Sequence, residues 1–534
     1  MDNSVLRGEQ SRQEIKKGID LVANTVKITL GPRGRNVLLD TDPFSPLNIT
    51  NDGVTIAREI IGETREEKSG AKLVKEVAGK TNDIAGDGTT TATLLFQSIV
   101  TYAMNLLANN GDAVMIRRGI EHAAEQIIKS INNEKVETKD LKSLISVATI
   151  SCGDPKIGKI IGEAIYKVGS DGLVTIEDSE TEDTSYHITK GLELRGGIEQ
   201  PVFVTNRAKQ EAQLDKTPVF VTDHDITNGI EAVKIMEVCA EHGYKHAVVI
   251  ANSVNGEALA ACILNKLKGK FNLTPIRVVA WGNQGQEILR DVSSATEATF
   301  FSKDEGYKLP TTSEEKMDWE NFGLAGRVVA TRERTTILDG SGDRSKRIKE
   351  LRAQLPNMKK AFEKEAVKER IARLAAGVGI VRVGGVTETE KEERRARVED
   401  AINATKAALR EGIIAGGGTP LYRAACSIIN SCANDDPSFK AGFMAVARAC
   451  KDPMEQMAIN SGLRLDRGDL KRVQDNATLT IDFNTGIVVR FQEKGIIDPL
   501  LVVVTALKNA ASTAALFITT EASVVALEDK SEKL

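Results

Sequence analysis

The sequence predicts a multidomain protein of mixed α and α/β architecture, in which two helical end regions enclose an α/β centre. The chain has 534 residues, which is more than one hydrophobic core usually organises, so roughly two to four domains are expected. Apolar residues recur at helical spacing near both ends. In the centre, short apolar strands alternate with helices. The centre is therefore predicted to be an insertion that divides one helical domain into two chain segments.

The first part of the chain is predicted to be mostly helical. Apolar residues follow helical spacing over residues 10–30, 54–80 and 88–108. Between the first two ranges, the run RNVLLD is bounded by glycine and by DPFSP, which predicts a strand and a turn. Further along, KIGKIIGEAIYKVG predicts a helix and LVTIED predicts a strand.

The centre alternates between strands and helices. The strands are TPVFVTD, HAVVIAN and TPIRVVAWG, and the helices include IEAVKIMEVCAEHG and GEALAACILNKLKG. This alternation predicts an α/β layer with parallel strand pairing. After it, GIVRVGG predicts a strand, and ARVEDAINATKAALREG predicts a helix that Gly412 ends. A GGG loop at 416–418 follows, and helices dominate the remainder.

The composition disfavours several classes of protein. Hydrophobic residues make up 41% of the chain and charged residues 27%, as in an ordinary globular protein. The net charge of -4 disfavours a nucleic-acid partner, because phosphate binding usually needs a basic face. The sequence has no apolar run of about eighteen residues and no apolar signal segment, so neither a membrane span nor secretion is expected. The six cysteines lack a C-x-x-C pair, which indicates reduced thiols in a cytosol-like compartment.

The stretch AGDGTTTATLL, at 85–95, has the residue types of a phosphate site at the start of a helix. A helix N-terminus presents unpaired N–H groups, the flanking glycines allow close backbone approach, and Thr89–Thr91 add hydroxyl donors. Asp87 is suited to hold Mg²⁺, which takes one or two carboxylates plus phosphate oxygens. No G-K-[ST] follows, so this is not a Walker loop. The alternative is a capped helix start in which Asp87 only satisfies backbone donors.

Three further segments could complete such a site. The turn TLGPRGRN, at 29–36, has two glycines around Pro32 and suits either phosphate binding or an ordinary helix end. Asp52 lies in the D-G turn of ITNDGVT, and Asp400 lies on a helix where an exposed position is the simpler interpretation. Carboxylates that converge on phosphate could hold metal and position a water, as an ATPase requires.

Two central helices have apolar residues on one face. Ile230, Val233 and Met236 are three apart, and a second set follows at i, i+4, i+5 and i+8, namely Leu259, Ile263, Leu264 and Leu267. Such stripes usually face a core. If they are exposed instead, they would form a groove that binds apolar polypeptide.

Taken together, TLGPRGRN, NDGVTIAREI, AGDGTTTATLL, RVEDA, GGG and GIIDP resemble the motifs of the group I chaperonins, the GroEL family. The resemblance follows the chain in order over about residues 5–528. It implies a GroEL-like fold of three domains. A helical equatorial ATPase domain would comprise 1–133 and 411–534, a small α/β intermediate hinge domain 134–189 and 378–410, and an inserted α/β apical domain 190–377.

The resemblance also implies an ATP site with Mg²⁺ and K⁺. Asp87 would bind Mg²⁺, Asp52 would lie beside the γ-phosphate, and Asp400 would orient the attacking water. Backbone oxygens near Thr29, Asn51 and Thr90 would hold K⁺. The implied cofactor-binding residues are Thr29, Leu30, Gly31, Pro32, Asn51, Asp87, Gly88, Thr89, Thr90, Thr91, Gly417, Asn484 and Asp498.

For the centre, the resemblance implies an apical surface that binds non-native polypeptides and a GroES-type co-chaperonin. The implied contact residues are Ile198, Val202, Phe203, Val233, Met236, Leu259, Ile263 and Leu264. The segment GGIEQPVF departs from the tyrosine-bearing stretch common in bacterial members, and TGIVVRFQE departs from the usual segment beside adenine. In the region of ring–ring contacts, Glu455 and Arg464 stand where the charges commonly run the other way.

The expected function is that of an ATP-dependent chaperone, which refolds proteins in a homo-oligomer of one or more heptameric rings. It would work in the cytoplasm of a bacterium or of a phage-infected host, or in an organelle matrix. A passive holdase without productive ATP cycling is the alternative, and a small-molecule kinase is a further one. ATP turnover would distinguish the chaperone from a passive holdase. A small-molecule kinase would need a pocket for the acceptor molecule that contains a general base.

Overall fold

The computed structural model describes residues 3–40, 48–107, 111–138, 140–169, 172–179, 181–207, 209–279, 283–312, 314–355, 358, 361–375, 377–429, 431–432 and 434–526. The chain forms two compact units. Unit 1 contains residues 1–166, 176–186 and 381–534, and unit 2 contains residues 167–175 and 187–380. The two end segments therefore share unit 1. The three-domain boundaries given by the resemblance stay a prediction.

The N-terminal part of the chain is mainly helical. Its strands are β1 (Asn3–Arg7), β2 (Val37–Leu39) and β3 (Asn48–Thr50), and a 3-10 turn spans Lys27–Thr29. Its helices are α1 (Gly8–Val26), α2 (Gly53–Glu59), α3 (Arg65–Ala85), α4 (Thr89–Leu107), α5 (Ala113–Asn132), α6 (Leu141–Cys152) and α7 (Pro155–Val168).

The helical spacing over 54–80 belongs to two helices rather than one. α2 ends at Glu59 and α3 begins at Arg65. Thr64 caps α3 because its hydroxyl accepts a hydrogen bond from the Glu67 N–H at 3.1 Å, and the Glu67 carboxylate accepts in return from the Thr64 N–H. This reciprocal capping box fixes a new helix start. The apolar spacing continues across the break, so periodicity alone missed it.

The central part of the chain alternates between strands and helices. Its strands are β4 (Leu173–Asp178), β5 (Ser185–Gly197), β6 (Ala212–Thr222), β7 (Asp225–Ile226), β8 (His246–Ala251), β9 (Ser253–Val254), β10 (Asn272–Val278), β11 (Phe300–Phe301), β12 (Gly323–Ala330), β13 (Arg334–Gly340) and β14 (Gly377–Val383). Its helices are α8 (Gly229–Glu241), α9 (Gly256–Leu267), α10 (Asn283–Thr296), α11 (Arg344–Gln354) and α12 (Ala361–Ala375), with 3-10 turns at Pro201–Phe203 and Trp319–Asn321.

The sheet of unit 2 has the strand order β10-β8-β6-β12-β13-β5. β10, β8 and β6 pair in parallel, with Val219 opposite Val248 and Pro275 opposite Val249. β12 pairs antiparallel with both β6 and β13, and β13 pairs antiparallel with β5. The predicted parallel pairing is therefore right for the three strands to which it applied, β6, β8 and β10, and the sheet continues with antiparallel strands.

A buried ion-pair network joins the helices of unit 2. The Asp291 carboxylate on α10 accepts from Arg347 Nε at 3.0 Å, and from Arg370 Nε and Nη2 at 2.7 Å each. Glu287 also accepts from Arg347 Nη2, at 2.7 Å. The Asp291 side chain is only 6% exposed. Removal of this one carboxylate would leave two arginines without their main partner.

The C-terminal part of the chain returns to helices. Its strands are β15 (Ile413–Ala415), β16 (Leu479–Asp482), β17 (Ile487–Arg490), β18 (Ile497–Pro499) and β19 (Ala522–Ala526). Its helices are α13 (Glu388–Glu411), α14 (Thr419–Ile428), α15 (Pro437–Ala449), α16 (Asp452–Ser461), α17 (Arg467–Asp475), α18 (Phe491–Lys494) and α19 (Leu500–Ile518).

The core of unit 1 is built from both ends of the chain. Buried apolar residues of α1, α3, α4, α5, α15 and α19 form one cluster, and β1 pairs antiparallel with β19. Among the described residues, α19 alone is long and apolar enough to cross a membrane, but 61% of its apolar window is buried. Burial in this cluster is typical of the core helix of a globular unit. The short pair β15–β18 places Ile414 opposite Asp498.

Candidate functional site

The loop after α1 is a tight turn with exposed backbone. The Gly34 N–H donates to the Gly31 carbonyl at 2.9 Å, and the Arg35 N–H donates to the Ile28 carbonyl at 3.0 Å. Gly31 has a φ of 87°, a value that favours glycine. Gly31 and Pro32 are exposed, whereas Leu30 is partly buried. The turn TLGPRG thus offers backbone groups to a ligand.

The start of α4 lies beside this turn. Gly86 ends α3 with a φ of 66°, and Gly88, with a φ of 80°, precedes α4. The first-turn N–H groups of a helix have no acceptor within it, so the Thr89–Thr91 segment can receive an anion. The hydroxyl oxygens of Thr29 and Thr90 are 3.2 Å apart. The two glycine-containing segments of the sequence therefore meet.

Asp52 and its neighbours form a third wall. Asp52 caps α2, because its carboxylate accepts from the N–H groups of Val54 and Thr55, each at 3.1 Å. Gly53 lies so close to α4 that an added Cβ would be 2.6 Å from the Thr90 hydroxyl. Asn51 precedes this contact and is half-buried. Asp52 is thus the N-cap of a helix rather than part of a simple D-G turn, and this helix start lies against the start of α4.

Asp87 and Asp400 are close enough to influence each other's ionisation. Burial raises the pKa of Asp87, and the charge of Asp52 raises it further, whereas hydrogen bonds from the Gly88 N–H and the Ser151 hydroxyl oppose the change. Burial also raises the pKa of Asp400 well above its usual range, and the charges of Asp87 and Asp52 add to this. α13 carries Asp400 and packs against Gly86, where any side chain would overlap Asn403.

Asp498 is the fourth carboxylate of the cluster. Burial, together with the charge of Asp87, raises the pKa of Asp498 to about 7, although the Gly417 N–H donates to its carboxylate. The pairing of β15 with β18 brings Asp498 beside the GGG loop that holds Gly417. Four carboxylates from four distant chain segments, those of Asp52, Asp87, Asp400 and Asp498, therefore converge around the start of α4.

The carboxylate cluster fits a bound cation. The charges that raise the pKa of Asp400 are those of Asp87, Asp52 and Glu399, so a cation near Asp87 would relieve the repulsion. In the described parts of the chain, no group of three or more His, Cys, Asp or Glu side chains forms a complete metal site. Mg²⁺ needs only one or two carboxylates when phosphate and water supply its other ligands. Asp87 with phosphate oxygens meets that requirement.

The structure differs from the sequence-based site at two residues. Asn484 lies in the exposed turn after β16, and its contacts are to Arg33 and Asp482 rather than to the four carboxylates. Ser151, on α6, was missed, yet its hydroxyl donates to Asp87 Oδ2 at 3.0 Å. Ser151 is 64 positions from Asp87, and nothing in ISCGD signals the contact.

A separate surface lies between α8 and α9 in unit 2. A groove of about 390 Å³ is lined by apolar side chains and by three charged ones, namely Ile230, Val233, Ala261, Lys234, Glu237 and Glu257. Lys234 Nζ lies 3.0 Å from Glu237 Oε2. Leu264 is 52% exposed on α9. Ile230, which was noted in the apolar stripe, lines the groove with Val233. The groove therefore combines apolar side chains with charged ones of both signs.

Burial divides the eight predicted polypeptide-binding residues. Ile198, Phe203 and Met236 are at most 5% exposed and belong to the core of unit 2. This corrects the expectation that they touch a bound chain, because in this conformation their side chains already pack against the sheet. The other five predicted residues are at least partly exposed. They are Val202, Val233, Leu259, Ile263 and Leu264.

Comparison with known proteins identifies the family and the fold of this chain. Residues 22–527 match the model of the TCP-1/cpn60 chaperonin family. The fold is similar to the crystal structure of the chaperonin gp146 from the bacteriophage EL 2 (Pseudomonas aeruginosa), in presence of ATP-BeFx. That chain is 21% identical, and the match covers 98% of this chain and 99% of that one, with a TM-score of 0.70. The protein therefore belongs to the TCP-1/cpn60 chaperonin family.

Proposed function

We propose that this chain is a GroEL-type chaperonin that captures non-native polypeptides on unit 2 and refolds them through ATP binding and hydrolysis in unit 1. Proteins of this family are ATP-dependent chaperones that form oligomeric rings. The observation that carries the proposal is the convergence of four carboxylates on the threonine-rich start of α4. A passive holdase has no use for such a cluster.

The chain's own residues would divide the work of hydrolysis. N–H groups and hydroxyls of Thr29–Pro32 and Gly88–Thr91 would bind the phosphates. Asp87 would hold Mg²⁺, which when bound offsets phosphate charge. Ser151 would keep the Asp87 carboxylate in one orientation through its 3.0 Å hydrogen bond. Asp400 would orient the attacking water, with Asp52 beside it.

The remaining site assignments follow from the same proposal. Gly417 and Asp498 would contact the nucleoside, together with Asn484 if its turn moves toward the GGG loop. Backbone oxygens near Thr29, Asn51 and Thr90 would hold K⁺. The hydroxyls of Thr29 and Thr90 are hydrogen-bonded at 3.2 Å, so these two segments lie close together.

Unit 2 would bind the client. The α8–α9 groove presents Ile230 and Val233 to solvent, and exposed apolar surface of this kind binds other chains. We assign the predicted apical domain at 190–377 to unit 2 and the predicted equatorial segments to unit 1, whereas the predicted intermediate segments are divided between the two units. A heptameric ring, a GroES-type partner that competes for the groove, and a cytoplasmic or matrix location complete the proposal.

Steady-state ATP hydrolysis by the full chain tests the proposal. We expect turnover that requires Mg²⁺ and increases with K⁺. A chain that binds and protects denatured proteins but hydrolyses no ATP would contradict the proposal and favour the passive holdase. Phosphate release with Mg²⁺, with EDTA, and with Na⁺ in place of K⁺ is therefore the measurement.

A further inference from the structure

We infer that Arg33 and Asn460 form a clamp on the loop at 27–34, and that this clamp positions the loop for nucleotide. The loop is the TLGPRG turn assigned above to phosphate. The inference rests on the ATP site proposed in the previous subsection. Both residues would act as positioning residues, because their contacts are to backbone of the site and of its surroundings.

Asn460 holds the loop from α16. Its side-chain Nδ2 donates to the Lys27 carbonyl at 3.0 Å and to the Leu30 carbonyl at 2.9 Å. Its Oδ1 accepts from Gln456 Nε2 at 2.8 Å. The amide is thus fixed in one orientation, with both donors used on the loop. Aspartate has the same shape, but it cannot donate and would oppose two carbonyl oxygens.

The direction of the Leu30 carbonyl decides where the next N–H points. In a trans peptide the carbonyl and the following N–H point in opposite directions. With the Leu30 carbonyl held toward α16, the Gly31 N–H faces away from α16, on the exposed side of the loop. Gly31 also rests directly on the helix, since an added Cβ would lie 2.7 Å from Met457 Cγ. A fixed N–H of this kind is a donor suited to phosphate.

Arg33 connects the same loop to two other segments. Its Nη2 donates to the Asn484 carbonyl at 2.9 Å, and its Nη1 donates to the Ser461 carbonyl at 3.4 Å. A guanidinium presents its donors in a rigid planar fork. Arg33 therefore holds the phosphate loop at a fixed distance from both the end of α16 and the turn that contains Asn484.

The consequence for binding is preorganisation. A loop that already has its bound shape loses less conformational freedom when ligand arrives, so its affinity is higher. The hydrogen bonds described for Arg33 and Asn460 do not involve the four carboxylates of the site. Loss of the clamp should therefore weaken nucleotide binding and leave the rate of hydrolysis nearly unchanged.

Nucleotide binding and turnover of clamp variants test the inference. We would measure Kd for Mg·ADP by calorimetry, and KM and kcat for ATP, with the full chain. Asn460→Asp and Arg33→Met should each raise Kd and KM about 10-fold, with kcat within about threefold. Arg33→Lys, which can reach one carbonyl, should recover part of the affinity. The control Ile459→Ala changes a side chain that is 67% exposed on the same helix, and should behave as wild type.

Two results would overturn the inference: wild-type Kd in both clamp variants, or a fall in kcat at constant KM. If Asn460→Asp does not fold, the Kd, KM and kcat of Arg33→Met, which changes an exposed residue, test the inference without it. A failure of the proposed function is recognised separately, because the wild-type chain itself would then bind no nucleotide. That outcome would remove the basis of the clamp as well.

Discussion

Replacement of Asp498 with asparagine is expected to stabilise the magnesium-free protein, and to do so more strongly as the pH rises. Burial and the charge of Asp87 raise the pKa of Asp498 to about 7, whereas an aspartate in an unfolded chain titrates near 3.9. Asparagine keeps the shape of the side chain and can still accept from the Gly417 N–H. It has no charge to be desolvated.

The sign follows from the two protonation states. Below about pH 4 the carboxyl is protonated in both the folded and the unfolded chain, and the raised pKa costs nothing. Between about pH 4 and 7 only the unfolded chain ionises, so the folded state loses stability as the pH rises. Above pH 7 the loss is complete. One unit of pKa corresponds to about 1.4 kcal/mol, so the full loss is about 4 kcal/mol. Asp498 is only partly buried by surface area, and this solvent access reduces the loss to about 2–3 kcal/mol.

Thermal unfolding in EDTA measures this effect. We would compare the Tm of wild type and Asp498→Asn at pH 5.5 and pH 8, because a single two-state free energy is not defined for a chain with two units. The stabilisation by asparagine should be clearly larger at pH 8. Asp183→Asn, at an exposed position of unit 1, should change Tm little at either pH. Equal Tm differences for Asp498→Asn at both pH values would refute the reasoning.

Three further results are expected. Asp400→Ala should leave ATP binding within about threefold but slow turnover by about 100-fold or more, and unchanged phosphate release would exclude its role. Asp291→Ala should destabilise unit 2 by about 2–4 kcal/mol, because two largely buried arginines lose their most buried partner and keep only Glu287 between them; an unaltered urea midpoint by tryptophan fluorescence would contradict this. Apparent Mg²⁺ affinity, measured from ATP turnover, should increase from pH 6 to 8, because Asp498, whose pKa is raised to about 7, loses its proton and adds negative charge beside Asp87. A constant midpoint would oppose that explanation.

Local patterns predicted most elements, because each depends on neighbouring residues. The helix over Thr89–Leu107 and the strand over His246–Ala251 follow directly from spacing and turn residues. The break between α2 and α3 could not be predicted from spacing, since the apolar spacing continues through it. The capping box of Thr64 and Glu67 was the signal available, and it outweighed periodicity.

The site was predictable as motifs but not as geometry. Gly88 and the threonines after it marked a helix start with phosphate chemistry, and the structure has α4 begin there. That Asp400 and Asp498 converge on Asp87 depends on long-range packing of both chain ends, which no local pattern encodes. The Ser151 contact depends on the same packing, so it had no sequence signal.

The apolar faces of the centre show a further limit. Helical spacing gives the same pattern for a core stripe and for an exposed groove. Val233 is exposed to 36% and Met236 to 5% on one helix, although they lie three positions apart. Which side of α8 faces the sheet is set by tertiary packing, so the sequence predicted the apolar stripe but not its exposure.

Refolding of a chemically denatured, aggregation-prone enzyme by the full chain with Mg²⁺ and ATP tests ATP-driven folding most directly. We expect recovery of enzyme activity that depends on ATP and is lost in Asp400→Ala. A parallel sample with a GroES-type partner separates a lidded cycle, with recovery only when the partner is added, from a self-sufficient one. Aggregation suppressed equally with and without ATP, and no recovery in either sample, would contradict an ATP-driven chaperone and indicate a passive holdase.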